Sequence, residues 1–238
     1  MADAPTRLLA DTAASWGLPL SADQLRQFAR YADELLAWNA HTNLTAITNR
    51  EAIYVRHFLD SLVLARFWGD APASLVDIGT GAGFPGVPLK ILRPPLALTL
   101  VDSVGKKTAF LRHLVVILGL NQVRVITGRA EELGRDPRER EQYDVVTARA
   151  VADLRVLAEY GLPLLRVGGV LLAPKGAEAA TEAAAARRAC TLLGGALEQV
   201  APVELPGIEP RALVVVRKVA PTDPRYPRPV GVPARRPL

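Results

Sequence analysis

Between Ser74 and Leu172 the chain alternates short apolar runs with amphipathic stretches, and this alternation leaves few folds open. The runs are Leu75-Val76-Asp77-Ile78, Leu98-Thr99-Leu100-Val101, Val123-Arg124-Val125-Ile126, Asp144-Val145-Val146 and Val170-Leu171-Leu172. Segments of helical periodicity, such as Lys106 to Leu118 and Leu154 to Leu165, lie between them. A parallel sheet is covered on both faces and crosses over through helices, so it requires short buried runs spaced in this way. The spacing predicts an α/β fold with a doubly wound, mostly parallel sheet. Half of the 238 residues are hydrophobic and 22% are charged, which is material enough for one such domain and a smaller appendage.

The flanks read differently. Residues 1–70 form an N-terminal helical extension in this reading. Ser21-Ala22-Asp23-Gln24 has the spacing of a capping box, and Leu25, Phe28, Ala32, Leu35 and Leu36 then recur on one helix face. Asn43 to Thr48 interrupts the pattern, and Ile53, Phe58, Leu62 and Ala65 mark a second buried stripe. The sheet domain spans 71–218. It includes an Ala-rich helix within 177–195, closed by Gly194-Gly195, and two further runs, Leu197 to Val203 and Ala212 to Val216, expected to pair as an antiparallel hairpin at a sheet edge. Residues 219–238 are a basic, Pro-rich C-terminal tail.

Composition removes several function classes. The single cysteine, Cys190, permits no internal disulfide and no multi-cysteine zinc site, so a reducing cytoplasm is expected. Three scattered histidines (His41, His57, His113) argue against a dedicated catalytic metal. The longest uncharged stretch, Leu35 to Asn49, is too short and too polar to span a bilayer, and no basic-then-apolar export signal opens the chain. Beyond residue 216 six bases face one acid, so the whole net charge of +5 lies at the C-terminal end. A solubilising end is the plain explanation of such a tail.

The informative stretch is Val76-Asp77-Ile78-Gly79-Thr80-Gly81-Ala82-Gly83-Phe84-Pro85-Gly86, after the first strand and opening a helix. Glycines there let the backbone turn tightly and let a ligand approach the peptide planes. Gly81-x-Gly83-x-x-Gly86 matches the dinucleotide fingerprint, a weak signal alone. Gly79-x-Gly81-x-Gly83 after an acidic strand residue resembles motif I of S-adenosylmethionine (SAM) methyltransferases. Asp102 ends the second strand, where a carboxylate can accept from both ribose hydroxyls; capping the next helix is its alternative role. Ala130-Glu131 follows the third strand, where an adenine would lie, with a surface glutamate as the equal alternative. No second substrate domain follows the fingerprint and no His–acid pairing serves hydride transfer, which favours the methyltransferase over a nicotinamide-dependent oxidoreductase.

A more specific resemblance then emerges. Asn43-Leu44-Thr45-Ala46-Ile47, Arg56-His57-Phe58-Leu59-Asp60-Ser61, Asp77 to Gly86, Asp102-Ser103-Val104-Gly105-Lys106-Lys107, Gly128-Arg129-Ala130-Glu131, Thr147-Ala148-Arg149-Ala150, Pro174-Lys175-Gly176 and the closing Gly231 to Leu238 occur in one order. In that order they resemble the small-subunit rRNA guanine-N7 methyltransferase family (RsmG, also called GidB). The resemblance covers about residues 20–238. It implies a class I, Rossmann-like, SAM-dependent enzyme that methylates N7 of the guanine at position 527, in the 530 loop of bacterial 16S rRNA. Its partner would be that rRNA, the small subunit or an assembly intermediate; nothing suggests an obligate dimer.

Carried over by position, the cofactor contacts are Gly79, Phe84, Asp102, Ser103, Val104, Ala130, Glu131 and Arg149. Phe84 stands where other members have Leu, so packing or a backbone contact is its expected role. Arg149 can hold the methionine carboxylate or reach a phosphate or the guanine O6. No general base is expected, because N7 carries an in-plane lone pair and no proton; alignment of the reactants carries the chemistry. His57 and Asp60, three apart on one helix face, can pair with each other as a structural feature, the expected reading; the resemblance also allows them a role toward the substrate. Asn43, Lys107 and Lys175 are candidate RNA contacts, each with an ordinary turn or a solvated lysine as its alternative. The tail is expected to be extended and non-helical, with Arg225, Arg228, Arg235 and Arg236 along an RNA backbone and Tyr226 free to stack on a base. A nonenzymatic rRNA-binding assembly factor on the same fold is the competing reading.

Overall fold

The computed structural model describes residues 3–68 and 73–238. Five strands, β1 (Ser74–Ile78), β2 (Ala97–Asp102), β3 (Val123–Thr127), β4 (Tyr143–Thr147) and β5 (Leu165–Lys175), pair in parallel. β6 (Gly195–Val203) and β7 (Arg211–Lys218) form the expected antiparallel hairpin. β7 inserts antiparallel beside β5 and leaves β6 at the edge, for a sheet order of β3-β2-β1-β4-β5-β7-β6. The order reverses between β1 and β4, and a crevice opens there at the carboxyl ends of the strands.

Four α-helices, α1 to α4, precede β1 among the described residues. α1 (Ala4–Ser15) is capped by Asp3, whose carboxylate accepts the Thr6 amide. α2 (Ala22–Thr42) begins with the capping box read from the sequence, Ser21 and Gln24 satisfying each other's amides, and ends at Asn43 in the left-handed region. The next stretch departs from the simple helix expected. α3 (Arg50–Ile53) runs into a π-helical turn (Tyr54–Leu59), then α4 (Asp60–Leu62) and a 3-10 turn (Val63–Arg66). From Ile53 to Ala65 only Arg56 is exposed, so this rod is buried on nearly every side rather than along one stripe. The wide turn, a form often found at functional positions, brings both His57 and Asp60 inward.

α5 (Gly86–Leu92), α6 (Gly105–Ile117), α7 (Ala130–Leu133), α8 (Leu154–Gly161) and α9 (Ala179–Leu192) complete the crossovers. The α8 segment was expected to reach Leu165, but Pro163 lacks an amide and its ring clashes with an earlier carbonyl, so a 3-10 turn over Leu162–Leu164 ends it. Two apolar layers sandwich the sheet. One joins Phe28, Tyr31, Phe58 and Phe84 with Leu100 and Leu111; the other joins Val76 and Val146 with Leu157, Ala186 and Val216. The N-terminal helices thus share a core with one face of the sheet. The boundary expected at residues 70 and 71 lies outside the described residues.

Candidate active site

β1 leaves the sheet at Ile78 and turns through Gly79 and Gly81, both at φ +62°. A Cβ at Gly79 would lie 2.6 Å from a Val151 methyl, so the loop after β4 can close on the loop after β1 only over a glycine. Gly86 has a different role. A Cβ there would meet Leu100 Cδ2 at 2.7 Å and Asp77 Oδ2 at 2.9 Å, and its absence lets α5 pack directly on the sheet.

Asp77 pins this turn from beneath. Its carboxylate accepts from Thr80 Oγ1 (2.6 Å), the Gly86 amide (2.9 Å) and Thr147 Oγ1 (3.1 Å). Complete burial pushes its pKa up to about 6 against the pull of those donors, so it remains ionised at neutral pH. Asp102 fixes the loop from the side: Oδ2 accepts the Gly81 amide and Oδ1 the Val104 amide, both at 2.9 Å. Asp102 is not the cap of the next helix, whose N-cap is Val104 with no side-chain cap bond; it braces the loop ahead of that helix instead.

A cavity of about 420 Å³ opens at these loops. Gly79, Asp102, Ser103, Val104, Ala130 and Glu131 all line it, so six of the eight positions expected to meet the cofactor come together. Glu131 is buried, not the surface glutamate of the alternative reading, and its Oε1 accepts the Gly231 amide at 2.9 Å. Val151 and Tyr160 line the same cavity and carried no sequence signal, and Ala234 of the closing motif carried none for this site; each is brought in by the tertiary fold.

Phe84 and Arg149 do not line the cavity. Phe84 is buried and stacks with Tyr31 (centroids 5.1 Å apart) and with the His57 ring (4.3 Å), which fits the packing role expected of it. The Arg149 guanidinium lies 5.1 Å from the Phe84 centroid and donates to Asp60 Oδ2 (2.7 Å), His57 Nδ1 (3.0 Å) and the Arg56 carbonyl (3.1 Å). His57 and Asp60 thus do not pair with each other: a cation from the loop after β4 stands between them. Because Arg149 can only donate, His57 Nδ1 is an acceptor, and its Nε2–H faces Thr45 Oγ1 at 2.9 Å. Burial, reinforced by the Arg149 charge, pushes the imidazole pKa down to about 3 and keeps the ring neutral.

With this geometry in view, the similarities to known proteins are decisive. The family model described as rRNA small subunit methyltransferase G (GidB) matches residues 24–209. The ribosomal RNA small subunit methyltransferase G of Roseiflexus sp. (strain RS-1) is 64% identical over 231 residues, 97% of this chain and 99% of that protein. This chain belongs to that family. As a member it is a SAM-dependent methyltransferase. Solved structures at low identity agree on the fold: TrmN from Thermus thermophilus (22% identity, TM-score 0.53, 70% of this chain and 53% of that one) and M. jannaschii TYW2 in complex with AdoMet (16%, TM-score 0.53, 68% and 74%).

The residues expected to meet RNA divide into two groups in this methyltransferase. Lys107 stands at the cavity 3.8 Å from Asp102, Asn43 is exposed beyond α2, and Arg235 and Arg236 are exposed. Lys175 is instead a staple, its Nζ donating to the Ala152 carbonyl (2.7 Å) and Glu182 Oε1 (2.6 Å). Arg225 is exposed but paired with Asp223. Arg228 forms a bidentate pair with fully buried Glu159, Nη2 to Oε2 at 2.6 Å and Nε to Oε1 at 2.8 Å.

The tail is accordingly not an extended arm. Residues 222–235 fold back onto α7, the segment after it and α8, held by Arg135, Arg140, Glu131 and the buried carboxylate of Glu159, which requires its cation there. Tyr226 is half-buried against the second apolar layer rather than free to stack on a base. The tail also ends in a one-turn helix, α10 (Val232–Arg235), which Pro233 permits because a missing amide is harmless in a first turn. Among the described residues no helix is long and apolar enough to cross a membrane, and no cluster of His, Cys, Asp and Glu has a metal-binding arrangement.

Proposed function

We propose that this chain methylates N7 of a guanine in the 530 loop of small-subunit rRNA, position 527 in the usual rRNA numbering, with SAM as donor. Methylation of small-subunit rRNA follows from family membership over nearly the whole chain. When bound, SAM supplies an electrophilic methyl group on a sulfonium sulfur. The lining suits it: a buried carboxylate at a strand end for two ribose hydroxyls, apolar walls from Ile78, Val101, Val104, Ala130 and Val151, and open space where a Gly81 Cβ would project. The volume falls within the range of about 300–1,000 Å³ for small-molecule sites.

In this reading Gly79 and Gly81 admit the ligand to the backbone, and Asp102 holds the ribose with the lone pairs left by its two amide bonds. Ser103, Val104, Ala130 and Glu131 flank the adenosyl unit. Phe84 is the platform under His57 and Arg149, and Arg149 orients groups beside the cavity. Lys107, Asn43, Arg235 and Arg236 are the RNA contacts that remain available.

The observation that carries the N7 assignment is the commitment of His57. Its Nδ1 accepts from Arg149 and its Nε2 faces Thr45, in a ring kept neutral by burial, so the imidazole nearest the site is occupied as a positioning group. A nucleophile without a proton, such as N7, needs only alignment and exclusion of water. The test is transfer of labelled methyl from SAM to small subunits, to assembly intermediates and to naked rRNA, with mapping of the product base. One N7-methylguanine in the 530 loop is expected. Label on an exocyclic amine or a ribose hydroxyl would overturn the position, and absence of transfer with any of the three would favour the assembly factor.

A further inference from the structure

We infer that the C-terminal strap, residues 226–235, forms one wall of the cofactor site, so that cofactor binding and strap docking strengthen each other; this rests on the reading of the cavity as the SAM site. The strap is held by the same elements that build the cavity. Arg135 Nε donates to the Pro227 carbonyl at 2.7 Å, and Arg140 Nη1 to the Tyr226 carbonyl at 2.7 Å. Pro227 packs against Gly134, where a Cβ would lie 2.9 Å from its ring. Arg228 locks onto Glu159 of α8. The chain then reaches the cavity itself: the Gly231 amide donates to Glu131, and Ala234 lines the space together with Ala130, Glu131 and Tyr160.

The two halves of the strap are unequally anchored. Up to Arg228 the hold is a buried ion pair and the capture of two carbonyls, those of Tyr226 and Pro227. Beyond it, Pro233 is the only buried residue among 229–238, Leu238 packs half-buried against the second apolar layer, and α10 is a single turn with no stability of its own. A segment docked by one amide bond, one buried proline and a half-buried terminal leucine opens more readily than the part held by the ion pair. A ligand that fills the space between Ala130, Glu131 and Ala234 favours the docked form, and by reciprocity a strap that cannot dock weakens the ligand.

Hydrogen exchange on the full-length protein, with and without saturating SAM, reads the coupling directly. The amides of residues 230–236 are expected to slow on SAM addition while those of the β6–β7 hairpin do not change. Gly231→Pro supplies the second arm, since proline has no amide for Glu131 and cannot adopt the φ of +78° found there. Its SAM affinity, by calorimetry, is expected to fall at least about tenfold with the ligand-free melting temperature nearly unchanged. Wild-type protein that binds SAM with no change in strap exchange overturns the inference, as does a folded Gly231→Pro variant of unaltered affinity. If that variant does not fold, wild-type exchange alone decides. Wild-type protein that binds no SAM refutes the cofactor reading instead.

Discussion

Arg149 Nη1 donates to Asp60 Oδ2 at 2.7 Å across 89 residues of sequence, and this bond ties the exit of β4 to the start of α4, where the π-helical turn ends. Asp60 is 2% exposed and also faces Arg211 at 3.4 Å. Removing one partner of a buried pair leaves an uncompensated charge, a loss of about 3–5 kcal/mol. Asp60→Asn is therefore expected to destabilise the protein by about that amount, measured by urea unfolding. Arg149→Met in the same background should recover part of it, because no unpaired guanidinium then remains. Additive losses in that double-mutant cycle would show that the two residues are uncoupled.

Asp102 is expected to matter twice. As a ribose ligand it contributes about 1.5–3 kcal/mol, the range for hydrogen bonds to a charged group, and Asp102→Ala should weaken SAM binding accordingly. It also holds the Gly81 and Val104 amides, so the variant should melt lower while still melting cooperatively. Calorimetric affinity equal to wild type would remove the ribose assignment.

The acid limb of stability carries the signature of His57. Its folded pKa of about 3 lies below the ordinary value of 6.5, so the unfolded chain binds the proton first as pH falls. The stabilisation is complete above pH 6.5 and is lost progressively toward pH 3, by about 2–5 kcal/mol over the window. Asp77 works in the opposite sense, its raised pKa adding stability as pH falls from about 6 toward 3.8. The informative quantity is therefore the difference between wild type and His57→Asn, in which the Asp77 contribution cancels. That difference should shrink steadily from pH 6.5 downward; a constant difference would mean that His57 is charged in the folded protein.

Catalysis is expected to be insensitive to the same titration. With His57 neutral and N7 unprotonated, single-turnover methyl transfer should be nearly flat between about pH 6.5 and 9. A steep limb assigned to one protein group would count against attack by an unprotonated ring nitrogen.

How far the sequence carries depends on whether a feature is local. The sheet was legible because β1 to β4 are short apolar runs separated by helical periodicity, and the capping box at Ser21 because both partners lie within one turn. Six lining residues were legible because they follow strand ends in register. Partnerships at long range were not. His57 and Asp60 have the spacing of a mutual pair, and only the fold places Arg149 between them. Glu159 reads as an ordinary helix glutamate and Arg228 as one of many tail cations; their burial together exists only once the tail has turned back. Lys175 was misread for the same reason, since Glu182 meets it from the next helix.

That docking changes what the tail's charges are expected to do. Arg235 and Arg236 are exposed, whereas Arg228 is committed to Glu159 and Arg225 to Asp223. Each phosphate neutralised on a single strand contributes about 0.7 to the slope of log affinity against log salt, so replacing Arg235 and Arg236 with Ala should flatten that slope by up to about 1.4. Arg228→Ala should behave otherwise. It strands a fully buried carboxylate, so its main effect is a lower melting temperature, with little change in salt slope once the protein is folded. A salt titration of rRNA binding beside thermal melts of both variants separates the roles. A slope lowered by Arg228→Ala as much as by the terminal pair would mean that the strap releases Arg228 to the RNA, and that the Glu159 pair belongs only to the unbound protein.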